Sequence, residues 1–307
     1  SAILSGALAV GDSVKESLRQ NSAARISGAG PTLVGGERFL TVDLAERVAT
    51  GLDSPDSVVA PLLQVEGTVA ARNEGRRANR VQIVGVDDRF WLLSRAGSPP
   101  EELAGDDWMA VNRPLADRLG AETGSTLIVR VEIPGQISKD APLSGESEQT
   151  VPFTEKITTV VGSDHFGRYS LRAEQVPAPT IFVPISQLQE TLELPDKANV
   201  FLGSRAIDPE SFASAVESQW QLSDIALSLA PLADSPRSQL LSERVFFDAP
   251  TVAAVRGVDE TATPILTYLA NDIVADGGAT PYSMVGGAVP GSTPLVPEDL
   301  EEGEIVI

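Results

Sequence analysis

The sequence contains no cysteine, so disulfides and thiolate metal sites are excluded. That absence leaves the compartment open, because extracytoplasmic domains can also do without cysteine. It holds one histidine, His165, which limits a histidine general base or a zinc site to a single imidazole. Lysine is scarce as well: Lys15, Lys139, Lys156 and Lys197 are the only four. The other basic residues are arginines and do not gather into a basic tract. With a formal charge of −20, the chain is a poor match for nucleic acid or an anionic membrane surface, both of which select basic patches. Aromatic residues make up 5% of the chain, yet 42% is hydrophobic, a composition that folds rather than stays disordered. Long apolar runs are also missing. The nearest is Ala2 to Val10, which as a helix reaches about 14 Å, about half of a hydrocarbon core. A buried helix start, a fragment of a signal peptide and the last turns of a membrane helix all remain open for it. The missing initiator Met and the apolar end Gly303-Glu304-Ile305-Val306-Ile307 suggest a piece of a longer protein, with Ser1-Ala2 a possible cloning remnant.

At 307 residues the chain is long enough for two or more lobes. Asp12-Ser13 opens a helix, with Ser13 and Glu16 at capping-box spacing. A short strand is expected around Thr32-Leu33-Val34. Thr41 reads as the N-cap of a helix that turns Leu44, Val48 and Leu52 to a core. Ser57 to Ala71 reads as strand. After a charged turn, the alternation from Arg80 to Val86 reads as a half-buried partner, making a hairpin. Asn112 caps a brief helix from Arg113 to Leu119, closed by Gly120. Strands come next at Ser125 to Ile133, Thr154 to Val161, Thr180 to Val183 and Asn199 to Leu202. Gln136 to Gln149 reads as a mobile loop. Ser186 and Gln189 give another capping-box spacing, and Asp208-Pro209 a helix start leading to Phe212, Ala215 and Val216. A strand at Ala226 to Ala230 precedes the linker Asp234 to Ser238. Helices come singly between strand pairs, which predicts an α+β fold of split βαβ type and not a doubly wound parallel sheet.

The chain also repeats an order of motifs. Glu37 to Val48 has an echo in Glu243 to Ala254. Ala60-Pro61-Leu62-Leu63 answers to Thr263-Pro264-Ile265-Leu266, and Val69-Ala70-Ala71 to Ile273-Val274-Ala275. Ile83-Val84-Gly85 answers to Met284-Val285-Gly286, Pro100-Glu101-Glu102-Leu103 to Pro297-Glu298-Asp299-Leu300, and Trp108-Met109-Ala110 to Ile305-Val306-Ile307. The collinear order of several loose matches is what points to a duplicated module. It implies a longer native protein with two such modules.

Candidate chemistry is thin. Gly11-Asp12-Ser13 resembles the nucleophile block of GDSL hydrolases. That family needs an Asp-x-x-His pair near the C-terminus, whereas His165 lies mid-chain, directly after Asp164. A helix cap explains Asp12 and Ser13 without chemistry. Asp164-His165, between Gly162 and Gly167, reads as a surface turn. The acidic pairs Asp87-Asp88, Asp106-Asp107 and Glu301-Glu302 lack the spacing of a calcium loop. Gly28-x-Gly30 lacks the third glycine of a dinucleotide fingerprint, and there is no P-loop. No residue is expected to be catalytic, to bind a cofactor or to hold a metal.

One ordered set of motifs is more specific. It runs Gly-Asp-Ser-Val before an amphipathic helix, then Val58-Val59-Ala60-Pro61, then Val84-Gly85-Val86-Asp87. Next comes an Asn-x-x-Leu-Ala-x-x-Leu-Gly-x-x-x-Gly-x-x-Leu block at Asn112, Leu115, Ala116, Leu119, Gly120, Gly124 and Leu127. Val160-Val161-Gly162 and the stretch Ile181 to Gln189 (Ile-Phe-Val-Pro-Ile-x-x-Leu-Gln) complete it. This set resembles the extracytoplasmic core domain of FtsX-like ABC transporter permeases, of the MacB and lipoprotein-releasing type, over residues 5–232. The resemblance implies a bacterial cytoplasmic-membrane protein with this domain on the periplasmic or extracellular side. It implies a porter-like αβ lobe (1–97 and 155–233), an inserted β-rich lobe (98–154) and, beyond the simplest family pattern, a partial second αβ repeat (234–307). A separate ABC ATPase would be a partner through a membrane part. A permease homo- or heterodimer, a periplasmic adaptor and a lipoprotein or lipid substrate are the further partners implied. The domain would couple ATP-driven motion to efflux or release of a substrate without catalysis of its own. The alternative from the residues is a secreted or periplasmic hydrolase or binding protein.

Overall fold

A computed structural model of the chain describes residues 28–36, 38–52, 54, 56–72, 75–132, 150–171, 176–232, 236–244, 247–275, 278–291 and 296–301. The Asp12 helix with its Ser13 and Glu16 pair, the Gly11-Asp12-Ser13 block and the loop expected over 136–149 lie outside these residues. The chain separates into two compact units, Ser1–Leu241 and Ser242–Ile307, where 233/234 was the expected division.

The first unit runs β1 (Ala29–Val34), β2 (Leu40–Thr41), α1 (Val42–Gly51), β3 (Val59–Ala71), β4 (Arg77–Val86), α2 (Asp88–Leu92), β5 (Met109–Asn112), α3 (Arg113–Leu119), β6 (Thr126–Glu132) and β7 (Thr150–Val161). It continues with β8 (Thr180–Pro184), α4 (Ile185–Thr191), β9 (Lys197–Ala198), β10 (Val200–Ser204), α5 (Pro209–Gln219), β11 (Leu227–Pro231) and β12 (Ser238–Ser242), whose last residue opens the second unit. Mixed α+β architecture, as expected, is what forms. Eight strands share one sheet in the order β1-β10-β3-β4-β8-β5-β7-β6, and β6 also pairs with β3. Six strands therefore close a circuit, which leaves no free edge among them. Two pairings in it are parallel, β4 with β8 and β5 with β7.

β3 makes this closure possible because it is long enough to change neighbours. Its first part, Val59 to Leu62, pairs with β10, and its last part, Gly67 to Ala71, pairs with β6. At the handover the side chain of Asn199 replaces a strand. Its Oδ1 accepts from the Gln64 N–H (2.8 Å) and its Nδ2 donates to the Gln64 carbonyl (2.8 Å). Where β6 joins, a Cβ on Gly67 would lie 2.3 Å from the Arg130 carbonyl oxygen, so only glycine fits, and the β3–β4 register shifts there.

Alternate residues of the circuit sort into two cores. Leu63, Val65, Val69, Val81, Ile83, Met109, Val111, Leu127, Val129, Val131, Ile157, Ile181 and Val183 form one, together with Leu115 and Leu119 of α3 and Leu188 of α4. On the other face Leu62, Val84, Val86, Ala110 and Phe182 pack with Phe90, Trp91, Trp108, Phe166 and Tyr169. This second layer corrects the half-buried reading of β4. From Val81 to Val86 every residue is buried, because aromatics cover the face that alternation assigned to solvent. A third cluster joins Leu44, Ala45 and Val48 of α1 to Val59, Phe201, Phe212 and Ala215.

The limits expected for an inserted lobe do not coincide with a break in the ladder. β5 lies between β8 and β7, β6 pairs with β3, and β7 crosses 154/155. The ladder of β7 is continuous across 154/155, and 97/98 falls in the loop between α2 and β5.

The local expectations fare unevenly. Asn112 does cap α3, and Gly120 closes it in the left-handed conformation, φ 62°. Asp208 caps α5 through the Ser211 N–H. Thr41 stands at the N-cap of α1 but makes no side-chain cap bond; its hydroxyl donates to the Asp224 carboxylate, a charged and stronger acceptor. The Ser186 and Gln189 capping box does not form. Pro184 is the N-cap of α4, and Gln189 Nε2 instead donates to the Lys197 carbonyl.

The second unit contains α6 (Ala249–Val258), β13 (Leu266–Ala275) and β14 (Gly278–Gly287). Asp248 caps α6 by accepting from the Thr251 N–H, and the two strands form an antiparallel hairpin. No residue of α6 is buried. Among the described residues no helix is long and apolar enough to cross a membrane.

Candidate functional site

Buried polar groups are costly unless paired, so each marks a place where the fold holds something in position. Three such places stand out in the first unit. The first is Asn112, fully buried at the junction of β5 and α3. Its Nδ2 donates to the carbonyls of Gly167 (3.1 Å) and Ala178 (2.8 Å). Its Oδ1 accepts from the N–H groups of Leu115 (3.1 Å) and Thr180 (3.0 Å). One amide thus ties the helix start, the turn after β7 and the start of β8. All four positions are used, leaving nothing for a ligand.

The second place is the carboxylate of Asp224, 1% exposed. Arg47 Nη2 reaches its Oδ2 at 2.6 Å, the Gln221 N–H donates to the same oxygen at 2.7 Å, and the Thr41 hydroxyl donates to Oδ1. Burial alone would raise the Asp224 pKa. The hydrogen bonds from Arg47, Thr41 and Gln221, with the Arg47 charge, outweigh it and hold the pKa below the usual carboxylate value. Arg47 Nε also donates to the Gln219 carbonyl (3.3 Å). A hollow of about 470 Å³ lies beside this node, lined by Asp43, Glu46, Arg47, Thr50, Gly51 and Gln219. Sequence reasoning missed the node, since its partners stand 177 and 183 residues apart. No local spacing announces such a pairing.

The third is Tyr169, fully buried, with the half-buried His165 near it. His165 ends a short 3₁₀ turn, Ser163–His165, with its ring 6.4 Å from Trp91, edge to face. Asp164 lies 4.0 Å from Arg95 at the surface. Behind them Phe90 stacks on Phe166 at 4.4 Å. The Tyr169 hydroxyl donates to Gln64 Oε1 at 3.3 Å, and burial pushes its pKa well above the ordinary tyrosine value. The Asp164-His165 pair therefore forms the rim of an aromatic core, the surface turn its glycines suggested.

Among the remaining acidic pairs, Asp87 caps α2 and pairs with Arg89 at 2.6 Å. No group of His, Asp and Glu suited to a metal ion occurs among the described residues. Among the described residues these polar groups position backbone. Ser13 lies outside the described residues.

Many large apolar side chains of the second unit are exposed. Leu266, Tyr268, Leu269, Val274, Tyr282 and Met284 on β13 and β14 are all exposed, a density that in soluble proteins marks contact surfaces.

Neither a protein-family model nor a curated protein matches the chain. Among solved structures the chain is similar to the periplasmic region of MacB from Actinobacillus actinomycetemcomitans, at 9% identity and a TM-score of 0.40, covering 66% of this chain and 86% of that one. It is also similar to the extracellular domain of the noncanonic ABC-type transporter YknZ from Gram-positive bacteria, at 11% identity and a TM-score of 0.34, covering 60% of this chain and 86% of that one. MacB is also the type to which the order of motifs in the sequence is similar.

Proposed function

We propose that the chain is a non-catalytic extracytoplasmic domain of an FtsX-like ABC transporter permease. In this reading a separate ATPase acts on the cytoplasmic side, and the domain couples its motion to efflux or release of a substrate at the outer face. The observation that carries the reading is where the family's motifs fall. Among the described residues, four of these motifs occupy structural joints of one sheet. Val84-Gly85-Val86-Asp87 ends β4 and caps α2. Asn112 to Gly120 is the saturated amide, helix and left-handed cap. Val160-Val161-Gly162 ends β7, and Ile181 to Gln189 is β8 running into α4. Motifs that build joints suit a domain whose work is to hold its form while it is moved. Polar groups consumed in backbone tethers suit it too.

Fractionation of the native gene product tests the reading. A permease stays with the membrane through alkaline washing, needs detergent for release, and has a mass well above the 32.3 kDa of this chain. A soluble product near that mass, or an esterase activity abolished by Ser13→Ala, overturns it in favour of a secreted hydrolase.

A further inference from the structure

In the first unit the hairpin β3–β4 is covered by two later elements of the chain, β8 and α4. β8 lies parallel along β4, from Gln82 opposite Thr180 to Val86 opposite Pro184. α4 then crosses the end of β4 at Gly85. A Cβ there would meet the Ile185 Cα at 3.1 Å and the Leu188 Cβ at 3.2 Å, so this glycine makes room for the helix. The hairpin β13–β14 repeats the geometry without the cover. Leu269 pairs with Met284 and Thr267 with Gly286, as Val65 pairs with Ile83 and Leu63 with Gly85. Among the described residues nothing lies within 4 Å of the corresponding position at Gly286, and Met284 on the same face is 70% exposed. β14 carries no charged residue from Gly278 to Gly287, although charge is a common guard of free sheet edges.

We infer that β13–β14 is the receptor for a strand–helix segment of the β8–α4 kind. The strand lies parallel along β14 with successive Val, Ile or Phe, and an apolar helix side chain rests over Gly286. A second folded copy cannot supply this segment. Its own β8 is buried throughout and paired on both edges, to β4 and β5. The repeated order of helix, strand and strand assigns the segment to the same native polypeptide, as β8–α4 belongs to the polypeptide of β3–β4.

The absence of cysteine gives a direct test. Met284→Cys is made in the 307-residue chain and in the native gene product, purified in detergent to a single polypeptide; Val176→Cys, at a position 73% exposed in the first unit, is the reference. Maleimide labelling is followed for each. The thiol introduced by Met284→Cys is expected to react on the order of tenfold or more slowly in the native product than in the 307-residue chain, with the reference rate unchanged. Equal rates in the two proteins overturn the inference, as does a native polypeptide that ends at Ile307. Protection in the 307-residue chain that grows with its concentration overturns it too, because a second copy is then the cover.

Discussion

Two units of helix followed by hairpin, similar in order and in register, end in opposite surroundings. In the first, α1 packs Leu44, Ala45 and Val48 into a core, and every residue of β4 from Val81 to Val86 is buried. In the second, no residue of α6 is fully buried, and Leu269, Tyr282 and Met284 are exposed. Hairpin hydrogen bonds are made in both, so ladder formation does not distinguish them. A two-stranded ladder is marginal alone and gains its stability from the layers packed on its faces. The difference shows that burial at β3–β4 comes from β8, α3, α4 and the aromatic layer, and not from the hairpin sequence itself.

Substitutions can sharpen this comparison. The largest difference is expected between Ile83→Ala and Met284→Ala. The first should cost about 2–5 kcal/mol in chemical denaturation of the first unit, because it empties a packed site. The second should change stability by less than about 0.5 kcal/mol, as an exposed truncation does. Equal losses would contradict the contrast. Asn112→Ala comes next, at about 2–4 kcal/mol, since it removes a cap, strands the Gly167 carbonyl and two N–H groups, and leaves the Ala178 carbonyl only the bond from the Thr180 hydroxyl. Asn112→Asp should recover the cap bond to Leu115 but not the two bonds that the amide donates. Denaturation midpoints of both variants would show it.

Asp224→Ala should cost about 2 kcal/mol through loss of charge-assisted bonds. Its pH signature is separate. The folded-state pKa is depressed, so the stabilisation is complete above the unfolded value near 3.9 and is lost as pH falls through the folded value. The exposed cap Asp208, also depressed by the Ser211 N–H and hydroxyl, acts in the same direction. Acid titration of wild type and Asp224→Ala should diverge above about pH 4 and converge in stronger acid. The paired glycines close the comparison. Gly85→Val should cost about 1–3 kcal/mol by pushing on Ile185 and Leu188, whereas Gly286→Val should be close to neutral in the 307-residue chain. A like penalty at both positions would remove the basis for equating them.

Some of this was legible in the sequence because the information was local. Asn112, Leu115 and Gly120 lie within a few positions of each other, and cap, core face and left-handed stop follow from their spacing. The alternation in β4 was local too, yet it misled, because the aromatic layer that buries its second face comes from Phe90, Phe166 and Tyr169, the last two remote in the chain. The Asp224 node is invisible for the same reason. The order of the repeat was legible, but its first strand is one residue out of register in the sequence alignment. Matching the motifs sets Leu63 against Leu266, whereas the ladders set it against Thr267, opposite Gly286. In a strand, one residue exchanges the inner face for the outer. Closure of the sheet on β3 had no local sign at all, since it depends on Gly67 meeting the backbone of Arg130.

That closure has a mechanical consequence. An open sheet frays from its edge, one ladder at a time, but a closed circuit has no end at which to begin. Freeing any member of the circuit requires two ladders to part together, and freeing β3 requires the Asn199 bridge and the β10 pairing to release as well. The six strands should therefore exchange their amide hydrogens as one cooperative block, slower than β1, which hangs on β10 alone. A pull on any strand of the circuit is shared around the whole ring before one strand gives way.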